Sequence, residues 1–298
     1  MNIEVEKRKI QFPSAYFILL VIINDLDLQQ VPFEVLIATM FRTDLGFLET
    51  MFSKANLDAI PILIINQTDK NKQLISSSPN IRVINTEERG LAKSRNLALQ
   101  QSRGEVCLIA DDDVIYESNF KQTILNAYKE WNDAVAITFA MTDFNGNLFR
   151  KYPSEGIHTK RTIDTVNGVV ISCRPQQLKA KNIGYHSLFG LGEVFETGDE
   201  LVLMRALLKA GCPCYFKNEV IVQHPKESSG QEMGSDRVIY ARSALKYTEY
   251  GVFAYLWVYK YVRFLVAHKF ISVKEVPQKI KKGFEGITQY RKLSAKNK

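Results

Sequence analysis

Cysteine is scarce in this chain: four in 298 residues, at Cys107, Cys173, Cys212 and Cys214, with no C-x-x-C pair among them. A disulfide scaffold is therefore excluded, and buried thiols are favoured over a metal or redox role. Cys107 and Cys173 fall in apolar runs that read as strands, which predicts buried, inert thiols, and Cys212-Pro213-Cys214 is too tight for an ordinary disulfide. Long apolar runs are missing as well. The longest near the N-terminus, Ala15 to Ile23, falls far short of the roughly 20 residues that span a bilayer, and no small-residue cleavage site follows it. A cytoplasmic protein without a spanning segment is expected. There are no internal repeats and no low-complexity linker, and 46% apolar with 24% charged residues excludes collagen-like and disordered classes.

What is present is enough chain for a large core, since a protein of this length buries roughly three quarters of its unfolded surface. The net charge of +7 is unevenly placed: from Arg237 to the end, 14 Lys and Arg face 3 Glu, an excess of +11 that leaves −4 on the other 236 residues. A mildly acidic body with a basic end follows.

Phe33 to Thr39 and Ala59 to Asn66 are short β-branched apolar runs, and Leu45 to Leu57 between them has apolar residues at helical spacing. Ile81 to Ile84, a helix over Leu91 to Ser102 and a strand over Glu105 to Ala110 repeat the cycle. Strands alternating with helices, each strand apolar on both faces, predict a mostly parallel central sheet flanked by helices, an α/β fold of Rossmann-like type. A helix over Asn119 to Trp131, a strand over Ala134 to Ala140, a turn at Asn145-Gly146-Asn147 joining two antiparallel strands, and a strand over Val166 to Cys173 are expected next. Glu200 to Lys209 then reads as a helix and Cys214 to Val222 as a strand, and long helices rich in Tyr, Phe and Leu follow from Asp236. This divides the chain into an N-terminal extension (1–32), an α/β domain (33–235) and a basic, aromatic helical region (236–298).

In an open parallel sheet, ligands bind beyond the carboxyl ends of the strands. The strand at Glu105 to Ala110 ends in Asp111-Asp112-Asp113. On an extended chain Asp111 and Asp113 point the same way and Asp112 the other, and two converging carboxylates call for a cation such as Mg²⁺ or Mn²⁺. The same triplet also serves as a solvated acidic turn capping the next helix.

With Glu88-Arg89-Gly90-Leu91-Ala92-Lys93-Ser94-Arg95-Asn96, then Arg103-Gly104-Glu105, then Ala110-Asp111-Asp112-Asp113 in this order, the sequence resembles the family 2 glycosyltransferases of GT-A fold over roughly Phe33 to Pro225. Gly198-Asp199-Glu200 leading to Arg205, and His224 after an apolar run, are similar to the family's later landmarks. The resemblance implies a GT-A nucleotide-diphospho-sugar transferase fold with a C-terminal helical extension, and an inverting transfer from a nucleotide-sugar donor, UDP-linked, to a saccharide or lipid-linked acceptor in bacterial surface or capsular polysaccharide assembly. It implies Mn²⁺ or Mg²⁺ on Asp111, Asp113 and His224, and Asp199 as base. The family's Glu before that Asp is Gly198 here, which leaves Glu200 as a competitor, and its acidic base-contacting residue is replaced by Asn66 in Asn66-Gln67-Thr68-Asp69.

Thr39 and Arg42 follow the first strand, where a nucleotide rests. With Asn66, Asp69, Arg95, Asn96, Asp111, Asp112 and Gly168 they make up the expected donor site. Arg95 serves equally as a surface ion-pair partner, Gly168 as a simple bulge, and Asp199 as a helix-dipole carboxylate. His158, His186 and His268 have no evident partner. The tail mixes Tyr250, Phe253, Tyr255, Trp257, Tyr259, Tyr261 and Phe264 with Lys260, Arg263 and Lys269, and Lys279, Lys281 and Lys282 follow. Two readings stand: peripheral contact with anionic membrane through 237–298, at the inner face of the cell membrane, or an ordinary helical subdomain with a solvated basic face. No nucleic-acid recognition motif accompanies the basic stripe. Rival functions are a nucleotidyltransferase on the same sheet, although Met40-Phe41-Arg42-Thr43 lacks the glycines of its phosphate loop, and a catalytically silent saccharide-binding protein.

Overall fold

The computed structural model describes residues 30–225 and 233–296; the run Ala15 to Ile23 and nearly all of the expected N-terminal extension lie outside the described residues. Among the described residues no helix is long and apolar enough to cross a membrane.

Four strands form the parallel half of the sheet: β1 (Val31–Met40), β2 (Ile62–Gln67), β3 (Ile81–Thr86) and β4 (Gly104–Ala110), with β1 between β2 and β4. Helix α1 (Gly46–Met51) joins β1 to β2, and α2 (Leu91–Gln101) joins β3 to β4. Beyond β4 the sheet becomes mixed. It contains β5 (Ile115–Tyr116), α3 (Phe120–Glu130), β6 (Ala136–Thr142), β7 (Gly156–Ile157), β8 (Ile171–Cys173), α4 (Pro175–Ala180), α5 (Asp199–Lys209) and β9 (Cys214–Gln223). The strand order is β3-β2-β1-β4-β8-β6-β9-β5, and β7 pairs with β9. β8 runs antiparallel to both β4 and β6, while β6 and β9 are parallel.

Side chains alternate across the pleat, so each central strand feeds two cores. Phe33, Val35 and Ile37, with Ile62, Ile64, Val106 and Leu108, pack on the face covered by α1 and α3. Leu36, Leu63, Ile65, Cys107 and Ile109 pack on the other, against Ala92, Ala98 and Leu99 of α2 and Leu203, Met204 and Leu207 of α5. That two-sided burial is why these strands read as continuous apolar runs. All four cysteines are free and buried, and burial pushes the Cys173 and Cys214 thiols up to about 12, which makes them inert.

Two local expectations are corrected. Val166 to Cys173 is not one strand: Gly168–Val170 forms a 3₁₀ turn and only Ile171–Cys173 joins the sheet. The Asn145-Gly146-Asn147 turn exists, with the Asp143 carboxylate accepting from the Asn145 and Asn147 amides, but it leads into a single antiparallel bridge, Thr142 to Leu148, rather than a second strand.

Three helices close the described chain: α6 (Asp236–Tyr250), α7 (Ala254–Ala267) and α8 (Val276–Lys296). The Ser235 hydroxyl caps α6 by accepting from the Val238 amide, and Ser272 with Glu275 forms a capping box before α8. Their shared core is Ile239, Val258, Val262, Leu265 and Ile287. A second apolar cluster joins them to the α/β part: Phe189 and Phe195, from the loop before α5, pack on Tyr240 of α6 and Tyr290 of α8, with ring centroids 5.1–6.0 Å apart.

Candidate active site

The carboxyl ends of β1, β2 and β4 converge on a group of paired charges. β4 stops at Ala110 and the chain turns at 112–113, so the two-residue alternation expected of Asp111-Asp112-Asp113 does not apply. Each carboxylate meets a different partner. Asp112 Oδ2 accepts from Thr39 Oγ1 at 2.5 Å and from Arg42 Nε at 2.8 Å, which ties the end of β1 to the end of β4. Asp111 Oδ1 accepts from Arg95 Nη2 at 2.7 Å. Asp113 Oδ1 faces His224 Nε2 at 4.0 Å.

Arg95 organises the centre. It projects from α2, its side chain is 4% exposed, and its other nitrogen, Nη1, donates to Asp199 Oδ2 at 2.5 Å. One guanidinium therefore joins carboxylates that stand at the end of β4 and the start of α5. Burial opposes its charged form, but Asp111 and Asp199 more than offset that and hold its pKa well above the ordinary value. Gly168 makes room for it: a β-carbon there would lie 2.7 Å from Arg95 Nη2. Tyr185 covers the guanidinium from another side at 5.4 Å.

Asp199 begins α5, and the residue before it shows why the family's Glu is absent. Gly198 has φ +81, and a β-carbon there would meet Leu245 of α6 at 2.9 Å, so both backbone conformation and packing require glycine. Glu200 lies beside Asp199, and burial together with that neighbouring charge pushes its pKa up to about 8, which keeps it largely protonated at neutral pH.

His224 follows β9. Its Nδ1 lies 2.7 Å from the Pro225 carbonyl, which can only accept, so Nδ1 carries a proton and Nε2 is the ring nitrogen that faces Asp113. Burial raises the Asp113 pKa and His224 opposes that rise. Among the described residues no group of three or more His, Cys, Asp or Glu side chains converges as a metal cage. Asp113 and His224 nevertheless supply one carboxylate and one ring nitrogen on facing sides of a gap, a donor set that fits a divalent cation completing its shell with phosphate oxygens and water. Asp111, expected as a ligand, is instead turned to Arg95.

The remaining donor-site candidates divide by what holds them. Asn66 is fully buried; its amide exchanges hydrogen bonds with the Arg42 backbone at 2.9 and 3.1 Å and donates to Asn85, so it fixes the loop after β1. Asn96 does the same for another loop, bonding the Tyr185 amide and carbonyl at 2.7 and 2.8 Å. Asp69 lies at the rim, paired with Arg89 at 2.7 Å. Three further residues reach the site without any role assigned by the sequence pattern. Arg89 stacks over the exposed Phe41 ring at 5.0 Å while bracing the Thr68 and Thr86 carbonyls. Phe41 itself has φ +57, a backbone strain that non-glycine residues keep mainly at functional positions. Glu193 folds over Gly90 at the head of α2. Arg89 stands in the Glu88-Arg89-Gly90 signature, which was its one signal; Phe41 and Glu193 had none.

Comparison with known proteins agrees with this geometry. Residues 64–186 match the family model described as glycosyl transferase family 2. No curated protein matches the sequence. The crystal structure of Staphylococcus aureus TarS 1-349 in complex with UDP-GlcNAc is similar with a TM-score of 0.55 and 18% identity, over 86% of this chain and 82% of that one. Another TarS crystal structure gives 0.49 and 16%, over 88% of this chain and 54% of that one. The segment holding Arg95, the Asp triplet and Gly168 thus matches the family 2 glycosyltransferase model, and the chain carries a GT-A-like fold.

Proposed function

We propose that the protein is an inverting glycosyltransferase that moves a sugar from a UDP-linked donor to a saccharide or lipid-linked acceptor in bacterial surface polysaccharide assembly. The observation that carries this is the Arg95 bridge, which ties Asp199 at the start of α5 to Asp111 at the end of β4. TarS, which shares the fold, was crystallised with UDP-GlcNAc, and that supports a UDP-sugar here.

In this reading the nucleotide lies across the ends of β1 and β2, against Thr39, Arg42 and the Phe41–Arg89 stack, with Asn66 and Asp112 holding the loop in place. Asp113 and His224 are the residues that would hold Mn²⁺ or Mg²⁺, which when bound would supply charge neutralisation for a departing diphosphate. Asp199, fixed by Arg95, takes the proton of the acceptor hydroxyl as it attacks the anomeric carbon from the face opposite the diphosphate, a contribution of roughly 10²–10⁴ in rate. Protonated Glu200 beside it keeps a second negative charge out of the pocket. A groove of about 860 Å³ between the loop at 193–196 and helices α6 and α8, lined by Glu193, Glu196, Arg237, Tyr240 and Lys281, suits the acceptor chain.

The test is a panel of nucleotide sugars with purified protein and Mn²⁺. Donor hydrolysis is expected with a UDP-sugar, lost in Asp113→Ala and reduced at least 100-fold in Asp199→Asn. A bound donor at a hundredfold excess over its Kd should add about 2.7 kcal/mol of stability. No turnover with any donor, together with UDP binding unchanged in Asp113→Ala, assigns the protein to the silent saccharide-binding class. Release of pyrophosphate from UTP and a sugar phosphate makes it a nucleotidyltransferase.

A further inference from the structure

The structure sorts the aromatic tail into two populations. Tyr261 is buried, Tyr255 and Trp257 are half-buried, and Lys279 is tied to Asp236 and the Gly234 carbonyl, so these belong to the packing of the three helices. Lys282 is paired with Glu285 at 3.1 Å. The outer face of α7 is different. Val252, Phe253 and Leu256 are 65–69% exposed, Tyr259 is 51% exposed, and Phe264 lies on the same side. At 100° per residue Leu256, Tyr259 and Phe264 fall within one stripe together with Lys260 and Arg263, which are exposed and have no ion pair among the described residues, and Val252 and Phe253 belong to the 3₁₀ turn that leads into the helix. No carboxylate lies on the stripe. Beyond its end, exposed Lys269, Phe270, Val273 and Lys274 continue the same mixture.

A helix apolar on all sides is ordinarily buried on all sides. α7 buries Ala254, Val258, Tyr261, Val262 and Leu265 against α6 and α8 and leaves uncovered an opposite face of large apolar side chains carrying two cations. We propose that this face is a docking surface for an anionic lipid bilayer: Phe253, Leu256 and Val252 enter the acyl boundary, Tyr259 sits at headgroup depth, and Lys260, Arg263, Lys269 and Lys274 meet lipid phosphates. The charge pattern selects this occupant. A second copy packed face to face would set Lys260 and Arg263 against their own counterparts with no acid to pair them, whereas an anionic headgroup layer complements every cation on the stripe. At 14 residues α7 is too short to span the bilayer, so it lies in the interface rather than across it.

Full-length protein is to be co-sedimented with vesicles of phosphatidylcholine alone and of phosphatidylcholine with phosphatidylglycerol. Binding is expected on the anionic vesicles and weakened by salt. It should drop roughly tenfold or more in both Phe253→Ser/Leu256→Ser and Lys260→Gln/Arg263→Gln, with melting temperatures unchanged because all four side chains are solvent-facing. Binding that persists in both variants, or no binding to anionic vesicles, overturns the proposal. A concentration-dependent dimer that the serine variant dissociates would also overturn it and assign the face to a second copy. Donor hydrolysis measured without vesicles reads the catalytic assignment separately, so either proposal can fail alone.

Discussion

The carboxyl end of the sheet and the three C-terminal helices bury opposite kinds of group. Arg95 and Asp199 form a buried ion pair that reaches out to the partly exposed Asp111, while Ile239, Val258, Val262, Leu265 and Ile287 make a core with no charge in it. A buried ion pair is a poor source of stability, since desolvation consumes most of the Coulombic gain. Its presence in one region and its absence from the core of the other mark where the fold accepts a cost for chemistry and where it is only packed. Glycine follows the same division. Gly168 clears space for a charged side chain, whereas Gly286 lets α8 rest on the α6 backbone, its missing β-carbon only 2.2 Å from the Tyr240 carbonyl.

Removing the central cation tests this contrast most strongly. Arg95→Ala leaves the buried Asp199 carboxylate without its partner and frees the partly exposed Asp111, and should cost about 3–5 kcal/mol in urea unfolding, along with donor turnover. A variant that unfolds like the parent would mean that water already reaches Asp199. Gly286→Ala is expected to cost roughly 1–3 kcal/mol by overpacking α6 against α8 while UDP affinity stays constant. If affinity falls in parallel, the aromatic contact through Phe189 and Tyr290 couples the two regions.

His158 extends the comparison to the far edge of the sheet, where it is held by Thr138 and Thr162 at 2.8 and 3.0 Å. Burial lowers its pKa to about 4. The unfolded chain therefore binds more protons between about pH 6.5 and pH 4, so this contribution is complete above pH 6.5 and is lost as the pH falls toward 4, amounting to about 2 kcal/mol at pH 5. His158→Gln should flatten that part of the stability curve; an unchanged slope would place the titration elsewhere. The smallest change in stability is expected for Arg42→Ala. Its pair with Asp112 is partly exposed and worth under about 1 kcal/mol, yet UDP should bind about tenfold more weakly by calorimetry.

Much of the catalytic half could be read in advance. β1, β2 and β4 are apolar on both faces because helices cover both, and that burial prints itself on the sequence as unbroken runs. The turn at Asn145-Gly146-Asn147 was legible for the same local reason, as was the helix beginning at Asp199. The short strands β5 and β7 and the 3₁₀ turn at Gly168–Val170 were not. Two or three residues carry no period, and their conformation is fixed by partners distant in sequence, such as β9 for β5.

The site divides along the same line. Residue types and order alone determined that carboxylates gather at the end of β4, that Asp199 opens a helix and that a histidine closes β9, because strand ends and helix starts are set by local pattern. Which carboxylate faces which partner was decided by the tertiary structure. Asp111 turns to Arg95, Asp112 to Thr39 and Arg42, and Asp113 to His224, and these pairings join positions 16 to 111 residues apart. A periodic pattern records only whether a side chain is wet or dry; the direction of a charge depends on the counter-charge that folding brings beside it.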